Sequence, residues 1–193
     1  MPVQPAALEL LTALSRVLAR WGRWYVFGAQ AVIAHGVPRL SADVDVTVQL
    51  VPEEPERFVR EMESAGFGLR VDDPEFVRKT RVFPFVHLAT AMPLDVVLAG
   101  SGLEDAFLER ARSMDFGGVS FPVIDPEDLV IAKVLAGRPK DLEDATSIWR
   151  LHGLSLDAGR IRQTLGLIEE ALGQSDLVTG FESIRQRGSR EPL

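Results

Sequence analysis

The segment Ala42-Asp43-Val44-Asp45-Val46-Thr47-Val48 decides how the rest of this sequence is interpreted. Its valines alternate with Asp43, Asp45 and Thr47, which is the two-residue period of a strand with one buried face. The two carboxylates then leave the opposite face side by side, although aspartate is a poor strand residue and like charges repel. A hard divalent cation such as Mg²⁺ would turn this repulsion into ligation. The alternative is a solvated strand face that carries two acids.

A third carboxylate, Asp95, lies in the apolar stretch Pro93-Leu94-Asp95-Val96-Val97-Leu98. Apolar residues on both sides of it predict a central strand, where an unpaired acid is costly. If this strand lies beside the Asp43 strand, three carboxylates meet at one metal site. The alternative is a strand-end aspartate that faces water.

A small-residue turn precedes the acidic strand. Gly28 ends the apolar run Trp24-Tyr25-Val26-Phe27 and is followed by Ala29, so the pattern predicts a strand, a tight turn and a helix N-terminus. The free backbone N–H groups of such a turn can bind phosphate. Many glycines of this kind only permit the turn, and that alternative stays open.

Cations that could contact phosphate are scattered along the chain, and some of them adjoin acids. Lys133 has an alternative place on the polar face of an amphipathic helix, and Asp141 could instead cap a helix with Asp144 in its first turn. The candidate cations are Arg39, Lys133 and Lys140, and the acids considered with them are Asp141 and Asp144.

The hydrophobic pattern predicts an α/β half over residues 1–125 and a helical half over residues 126–193. We expect a mixed β-sheet flanked by helices, followed by a helical C-terminal segment. The predicted elements are a helix from Pro5, a strand over Trp24–Phe27, a helix over Ala29–His35, the Asp43 strand, a helix from Pro52 to Gly66, strands within 69–98, a hairpin over Met114–Val123 turning at Gly117-Gly118, helices from Pro126, and a frayed last dozen residues.

Composition excludes several classes of protein. The chain contains no cysteine, so disulfides and thiolate metal sites are ruled out. A net charge of −7 argues against a wide footprint on duplex nucleic acid. No apolar run approaches the roughly 20 residues of a membrane span, and the N-terminus lacks the basic residues of a secretory signal. We therefore expect a cytoplasmic protein that binds neither a membrane nor extended duplex nucleic acid.

The order Gly28-Ala29, Asp43-x-Asp45 and Asp95 resembles the DNA polymerase β-like nucleotidyltransferase superfamily. The superfamily pattern is a Gly-Ser or Gly-Gly turn, an Asp-x-Asp strand and a later strand aspartate. Residues 27–48 and 129–144 are similar to the minimal bacterial AbiEii-like and MNT-like groups, and the resemblance covers about residues 24–150. Ala29 departs from the pattern because it lacks the serine hydroxyl, although its backbone N–H can still bind.

The resemblance implies Mg²⁺- or Mn²⁺-dependent transfer of a nucleoside monophosphate from a nucleoside triphosphate to a hydroxyl. The implied acceptor is an RNA 3′ end or a protein side chain, in a toxin–antitoxin or phage-defence setting. Asp43 and Asp45 would hold the ion on the triphosphate, and Asp95 would ligate a second ion and activate the acceptor.

Phosphate contacts follow from the same resemblance. Gly28 and the N–H groups after it would hold the β and γ phosphates, while Lys133 and Lys140 would neutralise charge. Two alternatives stay open: a binding module that keeps the fold without turnover, which the alanine at position 29 favours, and an antitoxin that acts by protein–protein interaction.

Overall fold

The computed structural model describes residues 5–50, 55–71, 73–100 and 102–190. Two compact units are present: one comprises the chain through Ala34 together with Pro38–Ile124, and the other comprises His35–Val37 together with the chain from Asp125 onward. In chain order the elements are α1 (Pro5–Leu18), β1 (Trp24–Phe27), α2 (Gly28–Ala34), β2 (Val44–Val48), α3 (Pro55–Ser64), β3 (Phe67–Leu69), α4 (Pro74–Thr80), β4 (Val82–His87), β5 (Met92–Leu98), α5 (Leu103–Arg110), β6 (Arg112–Asp115), β7 (Ser120–Val123), α6 (Pro126–Ala136), α7 (Pro139–His152), α8 (Ala158–Leu172) and α9 (Leu177–Arg190).

The first unit is built on a seven-stranded mixed sheet in the order β3-β4-β5-β2-β1-β7-β6. β2 is the central strand and runs parallel to β5 and antiparallel to β1. Val44, Val46 and Val48 of β2 are fully buried, as the alternating pattern predicts. The α/β class expected from the sequence is confirmed.

Helices α1 and α3 cover apolar residues of this sheet. α1 contacts α3 and β5, and its leucines are buried along one face. Phe58 of α3 lies with its ring centroid 5.5 Å from that of Phe83 and 6.1 Å from that of Phe85, both on β4. The predicted start of α3 at Pro52 lies outside the described residues.

The second unit is helical. In it α7 contacts α6 and α9, and α8 contacts α6 and α9. Trp149 of α7 packs edge-on against Phe181 of α9, with the ring centroids 5.4 Å apart. Ile148, Ile161 and Ile184 are fully buried in this helical core.

Two expectations about local structure were wrong, and one helix was missed. Residues 69–98 are not all strand, because α4 interrupts them: Asp73 accepts a hydrogen bond from the Glu75 N–H, and Pro74 opens the helix. α5 was not predicted. The last dozen residues are helical through Arg190, because α9 buries Phe181 against α7.

The hairpin of β6 and β7 has the predicted turn. Gly117 and Gly118 both have positive φ, and their N–H groups donate to the Asp115 carboxylate. Within the described ranges, no helix combines the length and apolar character required to cross a membrane.

Candidate active site

Two of the three predicted aspartates lie directly opposite each other. β2 and β5 are parallel neighbours, and Asp45 is in register with Asp95. Residues opposite in register leave the same face of a sheet, so the two side chains are neighbours on adjacent strands. Both residues are half-buried, while the residues that flank each of them along the strand are more deeply buried or apolar.

Asp43 lies at the entrance to β2 and not within it, since the strand begins at Val44. Asp43 is exposed, but its backbone carbonyl accepts two hydrogen bonds. The buried Gln30 amide of α2 donates to the Asp43 carbonyl at 3.2 Å, and the Ser41 hydroxyl lies 2.9 Å from both that carbonyl and Asp43 Oδ1. The sequence did not indicate that Gln30 and Ser41 would hydrogen-bond to Asp43.

Gly28 is pressed against the Asp45 carboxylate. Phe27 is in register with Asp45, and Gly28 follows with φ of +63° as the first residue of α2. A Cβ atom at Gly28 would lie 2.0 Å from Asp45 Oδ2, closer than any side chain can approach. Any other residue at position 28 would therefore be strained by the backbone conformation and would have to displace the Asp45 carboxylate. Ala29 follows in the first turn of α2, with its side chain buried.

Arg70 is a site residue that the sequence did not reveal. Its guanidinium Nη2 forms an ion pair with Asp95 Oδ1, its Nε donates to the Phe85 carbonyl at 2.8 Å, and its backbone N–H donates to the Pro84 carbonyl at 2.7 Å. The only signal in the sequence is a lone arginine after a short strand. It reaches Asp95 because β4 separates β3 from β5, a pairing that no local pattern encodes.

The chemistry of the donors suits a hard cation. Asp45 and Asp95 offer carboxylate oxygens in register, and Asp43 precedes Asp45 by two residues. In the part of the chain that the structure describes, however, no group of three or more His, Cys, Asp or Glu side chains is arranged to hold a metal. One oxygen of Asp95 is bonded to Arg70. The carboxylates are chemically suitable ligands for a divalent cation, and the set of three ligands stays a prediction.

Three of the downstream candidates form a cluster within the second unit. Lys133 Nζ lies 2.8 Å from Asp141 Oδ1 and 2.8 Å from Asp144 Oδ2, and Arg138 also bonds to Asp141. Lys133 and Asp141 are buried. Asp141 is not a helix cap, because Arg138 holds that position and Asp141 lies in the first turn of α7. Lys140 is exposed.

The charges of this cluster perturb Asp141. Burial, the largest single effect, raises the pKa of its carboxyl. Hydrogen bonds from Arg138 and Lys133, together with their positive charges, outweigh burial and hold the pKa below the ordinary value of 3.8. Asp141 is therefore a buried, ionised partner that joins α6 to α7. The phosphate roles of Lys133, Lys140, Asp141 and Asp144 stay predictions, as does that of the half-buried Arg39.

A cavity of about 820 Å³ lies elsewhere in the first unit. Apolar side chains of α3, α4 and β4 line it, among them Val59, Val77 and Phe83. None of the three aspartates is among its lining residues. The carboxylates are therefore not at this cavity.

The fold is shared with solved nucleotidyltransferase-like structures, all of low sequence identity. The solution structure of the antibiotic-resistance factor ANT(2″)-Ia gives a TM-score of 0.57 at 16% identity, covering 86% of this chain and 94% of that chain. A crystal structure of ANT(2″)-Ia in complex with adenylyl-2″-tobramycin gives 0.53 at 16% identity, covering 92% of this chain and 97% of that chain.

Two further structures are similar. JHP933 from Helicobacter pylori gives a TM-score of 0.53 at 12% identity, covering 98% of this chain and 92% of that chain. The lincosamide antibiotic adenylyltransferase LnuA, bound to lincomycin, gives 0.50 at 14% identity, covering 77% of this chain and 99% of that chain. No curated protein matches the sequence.

A family model provides the assignment that these distant structures do not. Residues 8–164 match the family described as "Nucleotidyltransferase of unknown function (DUF6036)". The match covers well over half of the chain and includes the Gly28 turn and all three aspartates. It confirms the resemblance at the level of a nucleotidyltransferase, without assigning an AbiEii-like subgroup. The chain therefore belongs to the DUF6036 family of nucleotidyltransferases.

Proposed function

We propose that this protein transfers a nucleoside monophosphate from a nucleoside triphosphate to a hydroxyl acceptor, with Mg²⁺ or Mn²⁺ held by the aspartates of the first unit. The observation that carries the proposal is the register of Asp45 opposite Asp95, with the Gly28 backbone against the Asp45 carboxylate. Family membership supports the reaction class.

The proposed step is an in-line displacement at the α-phosphorus. The acceptor oxygen forms the new O–P bond, the bond to the bridging oxygen of the β-phosphate breaks, and pyrophosphate leaves. When bound, a divalent ion would neutralise the triphosphate and stabilise charge on the transferred group. Asp43 and Asp45 would hold that ion. Asp95 would help to hold a second ion and, as general base or through that ion, would activate the acceptor hydroxyl.

The turn at Gly28 would bring backbone close to the triphosphate. Because no Cβ separates this backbone from Asp45, phosphate oxygens held beside Asp45 could approach the N–H groups of Gly28 and Ala29. The missing hydroxyl at Ala29 would then cost one phosphate contact without closing the site.

The acceptor class is open to three candidates. The sequence resemblance to AbiEii-like groups favours an RNA 3′ end or a protein hydroxyl, within a toxin–antitoxin or phage-defence system. The names of two structural neighbours favour a small hydroxylated molecule, since one structure holds adenylyl-2″-tobramycin and the other is a lincosamide adenylyltransferase.

The test is transfer of label from each α-³²P nucleoside triphosphate to these three acceptor classes in the presence of Mg²⁺. We expect labelled product and pyrophosphate from the unmodified protein, and a loss of about a hundredfold or more in Asp45→Asn. Glu63→Gln is the matched control, because Glu63 is an exposed carboxylate of α3. Equal turnover by Asp45→Asn would reject the assignment.

One observation favours a second candidate, a nucleotide-binding module without turnover. Arg70 already bonds the carboxylate proposed to act on the acceptor. This candidate predicts metal-dependent binding of a nucleoside triphosphate with no labelled product for any acceptor. A thermal shift that requires both Mg²⁺ and nucleotide, with no transfer, would favour it.

A further inference from the structure

Asp95 already has a cation on its carboxylate. Arg70 donates through Nη2 to Asp95 Oδ1, and among the described residues it is the partner that the Asp95 side chain contacts. The two side chains are 37% and 38% exposed, so the pair lies at the surface of the sheet and a dissolved ion can reach it.

The sheet itself fixes the position of this guanidinium. The Arg70 N–H bonds the Pro84 carbonyl and Arg70 Nε bonds the Phe85 carbonyl, both on β4. Pro84 is in register with Asp95, so the side chain crosses β4 to reach β5. Surface ion pairs usually contribute little because two flexible side chains must be ordered. Here the Pro84 carbonyl holds the Arg70 backbone and the Phe85 carbonyl holds its guanidinium, so part of this ordering is already in place.

Arg70 places a positive charge beside a pair of neighbouring carboxylates. Asp45 and Asp95 are like charges in register on neighbouring strands, and like charges in that position repel each other. A divalent cation bound between them would relieve the same repulsion. The positive charge of the guanidinium on Asp95 Oδ1 therefore opposes the binding of a cation to the same carboxylate.

We propose that Arg70 is the resident counter-ion of Asp95, and that its guanidinium on Oδ1 weakens the binding of a divalent cation to this carboxylate. Arg70 thereby sets the metal affinity of the site and acts as a positioning residue. The inference rests on the proposed function, because it takes the aspartates as the metal site.

The test measures Mn²⁺ binding by electron paramagnetic resonance on the whole chain, with neither nucleotide nor acceptor present. Arg70→Gln should lower the Mn²⁺ dissociation constant by about three- to tenfold, a modest factor because the pair is partly exposed and screened. The gain should shrink at high salt. Arg78→Gln is the matched control, since it removes one positive charge from the same unit where the arginine pairs with exposed Glu75.

Two further variants keep the test decisive. Arg70→Lys preserves the charge but cannot bond Phe85 and Asp95 together with a planar fork, so we expect a smaller gain in Mn²⁺ affinity. It decides the matter if Arg70→Gln does not fold, as judged by circular dichroism. In the double variant Arg70→Gln/Asp95→Asn the gain should disappear.

The outcomes separate this inference from the proposed function. If Arg70→Gln binds Mn²⁺ no more tightly than Arg78→Gln, the counter-ion role is rejected, even when labelled product forms. If Mn²⁺ binding tightens and the Asp95 substitution cancels the gain, the inference is supported, even when no acceptor is ever labelled. Equal Mn²⁺ binding in all variants, including Asp95→Asn, also overturns it.

Discussion

At the scale of single residues, Gly28 connects backbone conformation to the carboxylates. Its φ is +63°, and a Cβ atom there would overlap Asp45 Oδ2 at 2.0 Å. Gly66 has φ of +88° with nothing within 4 Å of its Cβ position, so it shares the conformational demand without the contact. A comparison of substitutions at the two glycines therefore distinguishes the cost of backbone strain from the cost of crowding the Asp45 carboxylate.

Gly28→Ala should lose more stability than Gly66→Ala. Both pay about 1–2 kcal/mol for a left-handed alanine, and Gly28→Ala must also displace the Asp45 carboxylate. We expect Gly28→Ala, but not Gly66→Ala, to lose Mn²⁺ affinity. Urea unfolding and Mn²⁺ titration of both variants are the measurements. Equal losses in the two would show that contact with Asp45 is unimportant.

A second residue-scale feature is the ionised Asp141 between Lys133 and Arg138. Because its pKa is lowered in the folded state, the unfolded chain takes up the proton first as the pH falls. The stability contributed by Asp141 is therefore fully present above about pH 4, the usual aspartate range, and is lost as the pH falls through the lowered folded pKa.

Asp141→Asn should flatten the acid limb of the stability profile. We expect a loss of up to about 3 kcal/mol at pH 7, since the buried Lys133 would keep one of the two carboxylates that it contacts among the described residues, Asp144. Below pH 4 the difference from the unmodified protein should narrow. Urea unfolding between pH 3 and pH 7 measures both effects. Glu143→Gln, an exposed change on the same helix, should leave the profile unaltered.

At the scale of elements, α9 shows how a helix rich in arginine is held in place. Gly188 lies where α9 meets α7, and a Cβ atom there would come within 2.9 Å of Trp149 Cδ1 and 3.2 Å of the Thr146 carbonyl oxygen. Gly180, two turns earlier, has nothing within 4 Å of its Cβ position. The same helix thus contains one glycine at a close helix–helix contact, Gly188, and one with open space around its Cβ position, Gly180.

Alanine at these two positions should have opposite effects. Gly180→Ala should stabilise the protein by about 0.5–1 kcal/mol through helix propensity. Gly188→Ala gains the same propensity but must move a packed indole and a backbone carbonyl, so we expect net destabilisation of about 1–3 kcal/mol. Thermal and urea unfolding measure both. A stabilising Gly188→Ala would mean that the α7–α9 contact yields easily.

At the scale of the whole molecule, charge constrains the partners. The net charge of −7 opposes the counterion release that drives binding to duplex DNA. The aspartates of the candidate site add negative charge where a nucleic-acid end would have to approach. A short acceptor that brings few phosphates is therefore easier to accommodate than a long duplex.

We expect no binding of a 30-base-pair DNA duplex tighter than the roughly 10⁻⁴–10⁻⁶ M of non-specific association at physiological salt. Fluorescence anisotropy measures this, with a single-stranded RNA of matched length and a free 3′ hydroxyl as the comparison. Tight duplex binding with a steep salt dependence would contradict the expectation and indicate a basic surface on an acidic protein.

Local patterns in the sequence were sufficient for the elements whose formation depends on neighbours along the chain. The alternating valines of β2, the helix of α2 and the Gly117-Gly118 hairpin all form as predicted. α4 was missed because its signal, Asp73 before Pro74, is short and lies between strand-like stretches. The last dozen residues were expected to fray because they contain arginines and few apolar groups. They are helical through Arg190, because α9 packs on Trp149 of α7.

The sequence by itself determined the α/β class, the buried face of β2 and the identity of the acids, because side-chain periodicity and turn chemistry act over a few residues. Only the tertiary structure decided which groups meet. Strand order places Asp95 opposite Asp45 and carries Arg70 across β4 to Asp95, a contact between residues 25 apart in the chain. The packing of α6 on α7 likewise buries Lys133 in ion-pair contact with Asp141 and Asp144. Such pairings depend on long-range strand and helix packing, which local propensity does not specify.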